Sequence, residues 1–195
     1  QGTVSDETLQ ENATTFAKEW FNKALNNGLA MFQGNLRNIY IDEGDFNNAR
    51  RVALTAAELG NPTMMLYTGL DCHEHGKFED AFTWFTKGAA LGQAESTAEL
   101  ADYYYHFYDT KELRRLIPYN PVKAIGLYRR AATKYFNDAG YAALQAAFGY
   151  IFHIGHLPLD WGLIADLTHM AATKERFMFS LPYIGYMRIH GLGVT

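Results

Sequence analysis

Four stretches of this 195-residue chain close on the same pair of small residues. Asn48-Ala49 leads to Ala56-Ala57, Asp80-Ala81 to Gly88-Ala89, Lys123-Ala124 to Ala131-Ala132, and Leu163-Ile164 to Ala171-Ala172. In each stretch the leading position stands about two helical turns ahead of the pair, so both share a face on which another helix can approach closely. Successive pairs are 32, 43 and 40 residues apart. Periods of this length indicate stacked helical hairpins, each contacting its neighbours, rather than one globular core.

The segments ahead of these helices align as well. Gly69, Ala101, Gly149 and Gly185 each lie three residues before a candidate contact residue: Cys72, Tyr104, Phe152 and Arg188. Each unit therefore reads as helix A, turn, helix B, with the turns marked by Gly44, by Gly76, by Pro118 with Pro121, and by Gly155 with Pro158. The first stretch is not a clear repeat. Ser5-Asp6-Glu7-Thr8 supplies capping and acidic residues at a helix start, and Leu9, Phe16, Trp20 and Leu25 give an apolar stripe that ends at Asn26-Asn27-Gly28. Residues 1–28 are expected to form a capping helix with a polar outer face, and residues 29–195 an array of about four units. The last unit is expected to be incomplete, because Val194-Thr195 falls where the turn into a further helix B would begin.

Lys123-Ala124-Ile125-Gly126-Leu127-Tyr128-Arg129-Arg130-Ala131-Ala132 resembles the second helix of a Sel1-like repeat, and Asp80 to Ala89 is similar. Phe148-Gly149 with Phe152 and Gly155 looks like the first helix and its turn, and Ile184-Gly185 followed by Gly191-Leu192-Gly193-Val194 looks like the family's Gly-x-Gly-Val turn. The resemblance covers roughly residues 30 to 195. It implies an all-α solenoid of stacked helix-turn-helix units, Sel1-like or tetratricopeptide-like, wound as a right-handed superhelix. The pattern is broken in places. The first two units have the shorter tetratricopeptide spacing, Arg37 stands where other units have Gly or Ala, and Leu163 and Thr168 replace the basic and aromatic residues of the fourth helix B. Arg37 implies a first unit that packs less closely or serves as a cap.

Composition agrees with a folded helical array: 48% of the residues are hydrophobic and 15% aromatic, with five prolines. A formal net charge of −4 and a pI near 6.0 leave no basic stripe for phosphates, which argues against nucleic acid as a partner. No apolar run is long enough to span a membrane. Cys72 stands alone, so no internal disulfide is expected and its role is read as helix packing. The chain begins at Gln1 rather than Met, in keeping with an export signal removed before it.

Candidates for chemistry are few. His73, His106, His153 and His190 recur just beyond the small residue of each helix A, but metal ligands must sit about 2.0–2.1 Å from one ion while stacked helices are roughly 8–10 Å apart. No metal site, cofactor or catalytic centre is expected. Asp71 with Glu74, or Asp102 with His106, lacks a flanking nucleophile or oxyanion motif, and Gly191-Leu192-Gly193 is a turn rather than a phosphate loop. The aromatic residues divide. Trp84, Phe85, Leu127, Tyr128, Trp161 and Leu167 read as packing between helices. Tyr103 to Tyr108 holds too many bulky side chains for one stripe: either part of it is an exposed protein-binding surface, or the insertion Asp109 to Pro121 folds back over it.

The positions one, four and five beyond each small residue share one side of helix A and mix aromatic with hydrogen-bonding side chains. From these the expected partner-binding set is His73, Glu74, Asp102, Tyr105, His106, Tyr150, His153, Tyr186 and His190, on the concave wall. The expected function is a non-enzymatic, monomeric protein-binding module whose partner is another protein. The resemblance implies its finer forms: a bacterial, periplasmic or secreted immunity protein that neutralises a secreted effector such as a lipase, or an envelope adaptor or regulator of signalling. Two other readings stand beside these, a hydrolase acting on cell-wall compounds and a structural spacer.

Overall fold

A computed structural model describes residues 6–29, 33–105, 110–134 and 139–175. Among them are ten α-helices and no strand: α1 (Asp6–Asn26), α2 (Gln33–Asp42), α3 (Phe46–Glu58), α4 (Pro62–Glu74), α5 (Phe78–Ala90), α6 (Ala94–Tyr105), α7 (Lys111–Leu116), α8 (Pro121–Ala132), α9 (Ala139–Ile151) and α10 (Trp161–Glu175). The helix pairs read from the sequence are α2/α3, α4/α5, α6/α8 and α9/α10, with α7 inside the insertion of the third. The chain forms two compact units, Gln1–Lys87 and Gly88–Thr195.

A run of identical turns builds the first half of the array. Gly28, Gly44, Gly60, Gly76 and Gly92 recur every sixteen residues, and all have positive φ, between 72° and 94°. At each, the glycine N–H donates to the carbonyl three residues back, and the next N–H donates to the carbonyl five residues before itself, as in Gly60 N to Ala57 O (3.0 Å) and Asn61 N to Ala56 O (3.0 Å). This is the Schellman closure, which needs a residue in the left-handed region and so favours glycine. The following residue then opens the next helix. Asp45 accepts from Asn48 N at 3.1 Å, and Asn61 accepts from Thr63 N and Met64 N ahead of Pro62 at the first helical position. Stop and start thus fit into a three-residue connection.

The residues of the repeated signature lie inside. Ala49, Ala56, Ala57, Ala81, Ala89, Ala124, Ala131, Ala132, Ile164 and Ala171 are all buried. In the N-terminal unit the core gathers Leu25, Leu36, Tyr40, Val52 and Met64, with Phe21 and Trp84 against it. In the C-terminal unit it centres on α9, where Ala142, Ala143, Ala146 and Ala147 have no exposed surface, and on Tyr128, Ile125 and Ile164.

Two details of α1 and α9 depart from the expected pattern. On α1, Leu25 is buried but Phe16 and Trp20 are 62% and 56% exposed, paired edge to face at 5.9 Å. Nine residues are two and a half helical turns, so Phe16 and Leu25 lie on opposite sides, and Phe21 joins Leu25 inward instead. Beyond α9, the turn at Gly155 stops the helix as expected, but His153 and His156 also take positive φ, 50° and 63°, where an L residue is strained. The half-repeat expected at 176–195, with its glycine turn, lies outside the described residues.

Candidate functional site

An open groove of about 730 Å³ lies within the N-terminal unit, lined from α2, α3, α4 and α5. One wall is a stripe of α3, Phe46, Arg50 and Leu54, spaced one turn apart; Phe46 and Leu54 are 59% and 42% exposed. The other comes from α4 and α5, through Leu70, Glu74, Lys77, Asp80 and Trp84. Arg50 of α3 donates Nε to Asp71 of α4 at 2.6 Å. Arg37 of α2 places its guanidinium 3.8 Å from the centre of the Tyr67 ring, and Lys87 caps the Trp84 ring at 4.3 Å. Cys72 also lines the groove, and burial, reinforced by Asp80 and Asp71, pushes its thiol pKa up, so it stays protonated at neutral pH.

The residues expected to bind a partner fall into three groups. His73 and Glu74 end α4 in the N-terminal unit. Glu74 is exposed and lines the groove, whereas half-buried His73 sets its ring edge-on to Phe78 at 5.3 Å, and burial lowers its pKa against the opposing pull of Glu74. Asp102, Tyr105, Tyr150 and His153 lie in the C-terminal unit. His106, Tyr186 and His190 lie outside the described residues.

In the C-terminal unit burial corrects the open-face reading for two positions. Asp102 is buried and its Oδ1 accepts the hydroxyl of Tyr128 on α8, with the Tyr141 hydroxyl 3.5 Å away. Burial and the Asp102 carboxylate push the Tyr128 hydroxyl pKa far up and that of Tyr141 to about 12. Tyr150 is also buried and its hydroxyl accepts from Arg129 Nη1 at 3.1 Å. The position one beyond the small residue therefore faces α8: it anchors helix A to helix B instead of standing open. His153 is exposed, its Nδ1 3.2 Å from Leu157 O.

For Tyr103 to Tyr105, the described part of the aromatic run, the covered alternative holds. Tyr103 is fully buried. Lys123 donates to the Tyr104 hydroxyl at 2.8 Å, and Asn120 N donates to Tyr104 O at 2.9 Å. Tyr105 packs against the Tyr119 ring at 6.1 Å. The insertion itself adds Leu113 and Ile117 to the buried set, so it folds back over the end of α6. Sequence reasoning missed the α3 wall, because it sought the binding surface on the first helix of each pair alone; the spacing of Phe46, Arg50 and Leu54 one turn apart was the available signal.

Among the described residues no group of three His, Cys, Asp or Glu side chains converges as metal ligands. No helix among them is long and apolar enough to cross a membrane.

No protein-family model and no curated protein matches the chain. Among solved structures, a Sel1 repeat protein from Oxalobacter formigenes superposes with a TM-score of 0.63 at 19% identity, over 91% of this chain and 77% of that one. The protective antigen c5321 of uropathogenic Escherichia coli, which displays an SLR fold, gives 0.46 at 19% identity over 92% of this chain, which spans 45% of that protein. With its helix pairs, buried small positions and the first of these superpositions, the chain folds as an all-α solenoid of Sel1-like repeats.

Proposed function

We propose that the chain is a protein-binding module that holds its partner in the groove of the N-terminal unit. The observation that carries this is the lining. Exposed Phe46 and Leu54, half-buried Trp84 and a set of charged side chains share one concave surface, the mix of apolar contact and polar rim that protein interfaces use. Glu74, at the end of α4, is the member of the sequence-derived set that borders it directly. Tyr105 with Tyr119 in the C-terminal unit offers a second aromatic contact.

The finer form of the proposal is an immunity protein, periplasmic or secreted, that neutralises a secreted bacterial effector such as a lipase. Its support is the resemblance of the repeats and the absence of any need for a bound cofactor in such a role. The test is direct inhibition. The purified chain, mixed in turn with a panel of secreted bacterial lipases, should form a one-to-one complex with one of them and suppress its activity, and Leu54→Asp should weaken the complex. Undiminished hydrolase activity at saturating chain would refute the immunity role, and full inhibition by Leu54→Asp would move the interface away from the groove.

A further inference from the structure

In the second and third helix pairs, helix A offers a small residue and helix B fills the space above it. Gly69 lies under Phe85, so close that a Cβ at 69 would stand 2.6 Å from Phe85 Cε1, and the corresponding residues of the third pair, Ala101 and Tyr128, are both buried. The first pair exchanges the sizes. Arg37 occupies the position of Gly69, and Ala53 the position of Phe85 and Tyr128. A guanidinium is not stable in an apolar interior without a counter-ion. Accordingly Arg37 is half-buried with its guanidinium over the Tyr67 ring, while Ala53 and Arg37 both line the groove. Ala53 is buried at the floor of the groove, where its methyl reaches less far than the Phe85 ring does in the next pair.

This arrangement prepares Arg37 for an acidic group. Stacked on a ring, a guanidinium keeps its N–H fork free at the edge and loses little further freedom on pairing. Among the described residues Arg37 has no ion-pair partner. Next along α4, Thr68 lines the same groove, is only 7% exposed, and has a hydroxyl with no hydrogen-bond partner. With Arg50 and Asp71 bound to each other, Arg37, Arg51 and Lys77 face Glu74 and Asp80, a surplus of one positive charge in a chain of net charge −4.

We propose that the groove binds an extended acidic segment of a protein, one side-chain carboxylate taken by the Arg37 fork and a neighbouring apolar side chain by Leu54 and Trp84. This rests on the protein-binding reading above and specifies the partner's chemistry.

Fluorescence anisotropy of dye-labelled peptides alternating Glu with Leu, and of their Gln and Lys counterparts, tests it on the full chain. The Glu peptide should bind, the Gln peptide roughly tenfold more weakly or worse, and the Lys peptide least. Arg37→Gln should erase the preference for Glu over Gln, while Arg37→Lys, which keeps charge without the fork, should retain part of it. The double change Arg37→Gly with Ala53→Phe rebuilds the packing of the second pair; it should keep the helical circular dichroism and lose binding of every peptide. Equal binding of Glu and Gln peptides, both lost in the double variant, overturns the acidic specificity and leaves the groove as a protein site. Undiminished binding in the double variant overturns both proposals. Should that variant not fold, an Arg37→Gln chain that still prefers Glu over Gln overturns the Arg37 assignment, as does failure of any peptide to bind at millimolar concentration.

Discussion

The two compact units solve the same packing problem with opposite irregularities. In the N-terminal unit the glycine turns recur every sixteen residues from Gly28 to Gly76 with one turn type, yet the side chains break pattern where Arg37 and Ala53 replace a small residue and an aromatic one. The C-terminal unit keeps the small-under-large packing, with Ile125 pressed onto Gly149 and Tyr128 sealed against α6, while its backbone departs through the α7 insertion and the strained turn at His153. A regular backbone with exchanged side-chain sizes leaves an open groove. An irregular backbone with conserved sizes leaves a closed core.

That contrast can be broken most forcefully at Tyr128. Truncation to alanine opens a cavity under α8 and strips Asp102 of a hydroxyl, so Tyr128→Ala should cost about 3–5 kcal/mol in urea unfolding. A loss below about 1 kcal/mol would mean that the third pair is as open as the first. Next comes Gly69→Ala. Its new methyl meets the fully buried Phe85 ring, and the overpacking should cost about 1–3 kcal/mol. Arg37→Ala, at the matching position of the first pair, should leave stability nearly unchanged; equal losses at the two positions would erase the distinction.

The turns give smaller effects of opposite sign. Gly60→Ala meets no atom within 4 Å, yet at φ 94° it should cost about 1–2 kcal/mol, whereas His153→Gly, which removes a side chain from a left-handed position, should stabilise by up to about 1 kcal/mol. Thermal melts of both variants measure this; a neutral Gly60→Ala would show that the Schellman turns do not hold the first unit.

The smallest effect is on pH. His73 is partly buried and its pKa lies below the ordinary 6.5, chiefly from burial, so the unfolded chain binds its proton more readily. The stabilising contribution is therefore present above 6.5 and fades as pH falls through the depressed folded value. Between neutral pH and pH near 5 the melting temperature of His73→Gln should fall less than that of the native chain; a parallel decline in both would assign the acid sensitivity elsewhere.

Much of this was legible in the residues, and the rest was hidden for definite reasons. The seven-residue lead into Ala-Ala pairs identified helix B, since only close packing demands small side chains at that spacing. The sixteen-residue recurrence of glycine was equally visible, but attention to the turns within hairpins passed over Gly60 and Gly92, which join one hairpin to the next. Arg37 announced itself as a departure from the repeat. Its meaning depended on Ala53, sixteen residues on and in another helix, a pairing that single-position comparison does not reveal. Asp102 and Tyr150 were misread because polarity suggested an open face, whereas hydroxyl and guanidinium partners on α8 allow both to be buried.

Hydrogen–deuterium exchange of the chain with and without the Glu-Leu peptide tests the central claim, that the exchanged sizes at Arg37 and Ala53 create a binding groove in the N-terminal unit. Protection should rise across α3 and α4, residues 46–74, and remain unchanged in α9, residues 139–151. Protection confined to the C-terminal unit, around Tyr105 and Tyr119, with α3 and α4 unaffected, would contradict it.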